Sequence, residues 1–316
     1  MQMNRREFLG QTVAGVTALA AASPLAVQAA EKPLEIIDTH THFYDPTRPQ
    51  GVPWPPKSDP LLYRKVLPAD YRALKVPQPV AGTLVVEASV WVEDNQFILD
   101  LAKKDKFILG FAGNLKPGEA EFAANLKRFA ADKIYRGIRV SGKVLTDNLQ
   151  NDAFVADLKR LMDLDLELDV NGPANTLPAI VEIAKKLPSL RIVINHLSNT
   201  RIDGKTVDAA WQENMEACAR QKRVYGKISG LVEGTGRKDG TAPADAGFYQ
   251  PQLDVMWRAF GQDKLVYGSN WPVSERFAPI GTVQQIVHDY FSAKGSQALR
   301  AVFGGNAKAA YNWLKR

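Results

Sequence analysis

Residues 34–43 read LEIIDTHTHF: an apolar run, an aspartate, then two histidines spaced two apart. A period of two puts the imidazoles of His40 and His42 on one face of an extended segment, aimed at one point. The run reads as a strand whose polar end opens onto chemistry. Seven further β-branched runs follow along the chain: GTLVVEAS, FILGFAG, IYRGIRV, LELDV, RIVINH, VYGKISG and KLVYGS. Between them lie stretches with the helical period, such as NQFILDLAKKD, EAEFAANLKRFAAD, DAFVADLKRLMDLD, TLPAIVEIAKKLP, VDAAWQENMEACARQ and PQLDVMWRAFG. Eight strands alternating with helices over roughly 250 residues predict an α/β fold, a single (β/α)8 TIM barrel with its site at the C-terminal strand ends.

Composition is consistent with this. A chain of 316 residues with 45% hydrophobic content buries a large core. The first thirty residues carry Arg5-Arg6, then Phe8-Leu9, a mildly apolar run and small residues around Ala29. They resemble a twin-arginine export signal, against an ordinary secretory signal or a retained anchor. The expectation is a signal over 1–30, a barrel domain over 31–316, a partnership with the twin-arginine export machinery, and a periplasmic or secreted product. The one cysteine, Cys218, rules out an internal disulfide and reads as a buried helix residue. A net charge of +6, scattered among acids, leaves no nucleic-acid footprint and is compatible with an anionic substrate. The Pro- and aromatic-rich connection from Phe43 to about Val80 is too long for a turn and is expected to fold over the mouth as a lid. EGTGRKDGTAPADAGFYQ, residues 233–250, reads as a second mobile loop.

Only four histidines are present, and a third, His196, ends the sixth strand. His40, His42 and His196 would converge on one mouth as a nitrogen set suited to Zn²⁺ with an open position for water. The alternative is strand-end histidines bonded to nearby carboxylates. His288 falls mid-helix and reads as surface or packing. Arg139, at the end of the fourth strand, offers a fork of donors to a substrate carboxylate or to an ion-pair partner across strands.

Taken together, IIDTHTHF, RIVINHLSN, GKISGL, YGSNWP and the ending VFGGNAKAAYNW resemble the amidohydrolase-related family of metal-dependent hydrolases. That family includes sugar-acid and pyrone dicarboxylate lactonases. The resemblance implies a (β/α)8 hydrolase that activates water, often with one divalent metal and in some lactonase members with none. It implies metal binding by His40 and His42, and metal binding or carbonyl polarisation by His196. It also implies a substrate-binding role for Arg139, and a ligand-orienting role for Asp38. Two-metal members carry a modified lysine after the fourth strand and a histidine after the fifth. This chain has GIRVSG and DVNGP there, so a binuclear site is not expected.

The family places an aspartate base after the eighth strand, where this chain has Asn270. An amide cannot take a proton from water, though it can ligate or hold water through its carbonyl oxygen. Glu87, Glu233 and Glu275 are the other carboxylates at strand ends, with Glu87 foremost and the other two reading as loop surface. Trp54, Trp91, Trp271, Tyr44 and Phe43 gather on the expected mouth loops, to stack on a ring-shaped substrate or to cover the barrel. The expected site thus comprises His196, Asn270 and Glu87 for catalysis, Arg139, Trp271 and Trp91 for substrate, and His40, His42 and His196 for one divalent metal, a metal-free site being the alternative. The expected activity is opening of a small lactone or related cyclic ester. A binding protein that has lost turnover with the aspartate, and a non-oxidative decarboxylase, are the competing readings.

Overall fold

A computed structural model describes residues 33–313 and 316; the expected export signal lies outside the described residues. Eight strands, β1 (Ile36–Thr41), β2 (Val80–Val86), β3 (Ile108–Gly113), β4 (Tyr135–Ser141), β5 (Glu167–Asn171), β6 (Arg191–Ile194), β7 (Val224–Ile228) and β8 (Leu265–Tyr267), run parallel in sequence order. Each pairs with the next, and helices cross over between them. The circle is closed from β8 to β1 past the strand ends: Asn270 N–H donates to His40 O at 2.8 Å, His42 N–H to Trp271 O at 2.9 Å, and the Thr39 hydroxyl to Tyr267 O at 2.6 Å. The TIM-barrel expectation is met, strand by strand.

Alternation along the strands divides the core into two layers. The larger cluster, with Ile138, Leu168, Ile192 and Ile228, packs against the outer helices. A smaller one joins Ile37, Leu84, Leu109, Val193 and Val266 to Ala307, Ala310, Tyr311 and Trp313. The closing segment therefore meets a strand layer of its own, and Asn306 anchors it with amide bonds to Gln262 O and Leu265 O.

Two local features differ from the sequence reading. Residues 246–250 belong to the helix Ala246–Phe260, because Asp245 accepts the Gly247 N–H and caps it upstream of Pro251. A helix over Gly142–Asn148 starts where the Ser141 hydroxyl accepts the Val144 N–H. The segment after β1 folds over the mouth as expected, carrying Pro53 and Trp54 to it, and is pinned by the Tyr44–Val66 bridge and by Phe43, Tyr44, Leu62 and Val66, all 3% exposed or less. Cys218 is a buried helix residue, as expected, and its thiol is pushed up to about 12 by burial. No helix of the described residues is long and apolar enough to cross a membrane.

Candidate active site

The first two histidines arrive by the strand period. Asp38, fully buried, accepts the His40 and Ser269 N–H groups on one oxygen and the Tyr71 hydroxyl on the other, locking the β1 and β8 ends together. It therefore orients the backbone of His40 rather than its ring. Gly268 lets the ends close up, since a Cβ there would lie 2.8 Å from His40 Cβ.

His196 arrives by a less common device. Residues His196–Asn199 form a left-handed turn with φ between 48° and 55°, a conformation that costs about 1–2 kcal/mol per residue for L-amino acids. The turn is held from outside. Ser229 Oγ accepts the His196 N–H, Trp211 Nε1 donates to Leu197 O, the Ser198 hydroxyl to Gly172 O, and Asn199 to Asn171. Gly230, itself at φ +70°, leaves the room required: a Cβ would stand 2.5 Å from His196 Cβ. Strain maintained by so many contacts is typical of a working site.

The three rings come together, with centroids 5.0 Å apart for His40 and His42 and 4.3 Å for His40 and His196. Burial holds all three imidazoles neutral, with Arg139 adding to the effect on His42, which is lowered to about 3. His42 and His196 border a cavity of about 440 Å³ that Glu87, Arg139, Glu233, Asn270 and Trp54 also help to line, with His40 buried behind them.

How each ring can be used follows from its partners. Lys227 Nζ, wholly buried on β7, donates to Thr39 O at 3.1 Å, Asp169 Oδ2 at 3.0 Å and His40 Nδ1 at 3.2 Å. An ammonium only donates, so His40 Nδ1 accepts and the ring hydrogen sits on Nε2, which is buried without a partner among the described residues. His42 Nδ1 donates to Val86 O at 3.0 Å, leaving Nε2 as a lone pair 3.2 Å from Asn270 Oδ1. Two acceptors thus converge between His42 and Asn270, an arrangement suited to a hydroxyl or water hydrogen. His196 Nδ1 lies 2.9 Å from Ser229 Oγ, which frees Nε2 for a ligand.

This donor set bears directly on the metal. An Nε2–H on His40 cannot ligate, and among the described residues no group of three or more His, Cys, Asp or Glu is placed to hold a metal ion. The residues therefore do not fit the three-histidine zinc site expected from His40, His42 and His196 in this arrangement.

The other expected residues separate. Arg139 reaches the cavity, but its Nε and Nη2 both bind Glu87 Oε1, at 2.7 and 2.5 Å. Glu87 is accordingly held by a guanidinium and poorly placed to act as a base. Glu275 is not part of the cavity wall and is taken up by Arg64 and Trp271 Nε1. Trp271 cannot stack on a substrate, because it is fully buried against Phe43 and Tyr71; it serves His42 through its carbonyl instead. Trp91 is 38% exposed and outside the cavity wall. The aromatic at the mouth is Trp54, edge-on to His42 at 5.9 Å. Glu233, read from sequence as surface, lines the cavity and accepts the Asn270 amide at 2.8 Å; burial pushes its carboxyl up to about 7 against that bond.

A parallel eight-stranded barrel with neutral imidazoles and polar side chains at its C-terminal mouth defines the class: a (β/α)8 hydrolase. The chain matches the amidohydrolase family over residues 37–313 and belongs to it. It is 29% identical over 280 residues to an L-fucono-1,5-lactonase of Burkholderia ambifaria, covering 86% of this chain and 93% of that one. An L-fucono-1,5-lactonase of Burkholderia multivorans is 27% identical over 286 residues, 87% and 95% of the two chains. A crystal structure of a Burkholderia multivorans amidohydrolase with bound zinc superposes with a TM-score of 0.77 at 25% identity, over 89% of this chain and all of that one. The family is typically metal-dependent.

Proposed function

We propose that this protein hydrolyses a small, uncharged sugar-acid lactone. The observation that carries the reading is the cavity itself: neutral imidazoles facing a space of about 440 Å³ in which Arg139, the one arginine lining it among the described residues, is already paired with Glu87. Hydrogen-bonding walls of Asn171, Asn199 and Ser89, with Trp54 as an aromatic face, suit a ring bearing hydroxyl groups. The lactonase relatives support lactone opening as the chemistry.

In this mechanism the Ser229 hydroxyl donates to His196 Nδ1, so that His196 Nε2–H meets the lactone carbonyl oxygen. As water adds to the carbonyl carbon, that oxygen gains negative charge and the hydrogen bond strengthens, which lowers the barrier. Collapse of the tetrahedral intermediate breaks the ring C–O bond and leaves a hydroxy acid. His42 Nε2 and Asn270 Oδ1 accept hydrogens from the attacking water or from a substrate hydroxyl. No step is assigned to a metal.

The test is a panel of aldonolactones, a pyrone dicarboxylate and aromatic acids, read by acid release and by CO₂, with the metal content of the protein measured alongside. Turnover of neutral lactones that survives chelation is the expected result. Inactivity on every lactone would refute the proposal, and CO₂ release would replace it with decarboxylation.

The Arg139–Glu87 pair gives a specificity prediction. Glu87→Gln leaves the guanidinium uncompensated, so KM for anionic lactones is expected to fall about tenfold relative to neutral ones, a difference of about 1.4 kcal/mol. Unchanged relative KM values would show that Arg139 does not face the substrate.

Export belongs to the proposal as well. Substituting lysine for both Arg5 and Arg6 is expected to retain the uncleaved precursor in the cytoplasm, as seen by fractionation and immunoblotting. Continued release of a shortened product would point to the general secretory route.

A further inference from the structure

We propose that Glu233 is the general base of this site, a carboxylate displaced from the end of β8 to the end of β7. The inference rests on the lactonase reading and deepens it.

An amide stands at 270, so the base has to come from elsewhere. The carboxylates around the mouth can be taken in turn. Glu87 is bound by the Arg139 guanidinium, and Glu275 by Arg64 and Trp271. Asp38 accepts three hydrogen bonds in the closure of the barrel. Asp169 is occupied by Lys227 and the Tyr311 hydroxyl. Glu233 lines the cavity together with His42, His196 and Asn270, and its side-chain partner among the described residues is a neutral amide.

The amide makes the displacement useful. Asn270 Nδ2 donates to Glu233 Oε1 at 2.8 Å and so fixes the carboxylate's position. The carboxylate also takes its own backbone N–H, and since it offers about four lone-pair sites and lines the cavity it can still accept a water hydrogen. Asn270 sits at φ 58°, a left-handed conformation asparagine tolerates, with its N–H on His40 O. Its side chain therefore stands between two groups: Oδ1 faces the His42 lone pair, where a water hydrogen can bridge the two, and Nδ2 holds Glu233. The glutamate is equally well placed from behind. It lies on the short helix Leu231–Gly234, tied by Gly234 N–H to Gly230 O and by Ile202 N–H to Gly234 O, each at 2.9 Å.

The proton balance closes on this residue. Glu233 takes one proton from water while the water oxygen bonds to the carbonyl carbon and the π electrons move to the carbonyl oxygen. When the ring C–O bond breaks, Glu233 returns that proton to the departing ring oxygen, which becomes the hydroxyl of the product. The carboxylate is regenerated and the net change is lactone plus water to hydroxy acid.

The experiment compares wild type, Glu233→Gln and the double variant Glu233→Gln/Asn270→Asp on whichever lactone the wild type turns over best. Glu233→Gln is expected to lower kcat by about 10²- to 10⁴-fold, the usual worth of a positioned base, with KM nearly unchanged. The double variant puts a carboxylate back at the neighbouring position and is expected to recover at least about tenfold over the single one. Retention of more than about a tenth of kcat by Glu233→Gln, or a double variant no better than the single, would overturn the assignment. A wild type inactive on every lactone refutes the lactonase reading instead, which keeps the two failures distinct.

Discussion

Lys227→Met is expected to lower the free energy of unfolding by about 3–5 kcal/mol, the cost of removing one partner from a buried ion pair. Lys227 and Asp169 are both 0% exposed, and the ammonium's three hydrogens are matched by Thr39 O, His40 Nδ1 and Asp169 Oδ2. Without the ammonium, Asp169 keeps only the Tyr311 hydroxyl at 2.9 Å. Glu167, also wholly buried and with neither carboxylate oxygen hydrogen-bonded among the described residues, loses a nearby positive charge. Typical domains have about 5–15 kcal/mol of stability, so a loss of this size takes a large share. Urea denaturation followed by far-UV circular dichroism measures it, and a change under about 1 kcal/mol would show that the pair is not buried as described. Adding Asp169→Asn should recover part of the loss, because removing both charges leaves less unpaired than removing one. The same substitution frees His40 Nδ1, so the metal content of a surviving variant tests whether Lys227 keeps the ring from ligating.

The barrel was legible because its strands are short β-branched runs ending in polar residues, a signal that survives without knowledge of contacts. The histidine cluster was legible for the same reason, since residues at C-terminal strand ends converge whatever the intervening helices do. Side-chain pairing was not. Glu87 looked like the base because a carboxylate on an apolar strand needs a partner, and the partner proved to be Arg139, 52 positions along the chain. Trp271 looked like a stacking platform, yet one turn of chain carries it behind the strand ends. Glu233 looked like loop surface because Gly and Ala follow it, while the hydrogen bond that brings it inward comes from residue 270. Lys227 left a usable trace: a lysine within an apolar strand of a parallel barrel has to find a buried partner.

His196→Asn is expected to lower kcat by about 10²- to 10³-fold, the usual loss when one donor to a developing oxyanion is removed. Asparagine is the right replacement because position 196 has φ 53°, which asparagine adopts more readily than other non-glycine residues. The left-handed turn and its bonds from Ser198, Asn199 and Trp211 should therefore persist, and the melting temperature should stay close to that of the wild type. What is lost is the imidazole that Ser229 orients and the cavity exposes. A donor that matters most when the carbonyl oxygen carries charge stabilises the transition state more than bound substrate, so kcat should fall while KM moves by only a few fold. Ser229→Ala supplies the internal control: it keeps the ring but frees its tautomer, so it should cost less than His196→Asn and affect kcat in the same direction. If KM rises with kcat intact, His196 binds the lactone without assisting its opening, and the oxyanion role assigned to it fails.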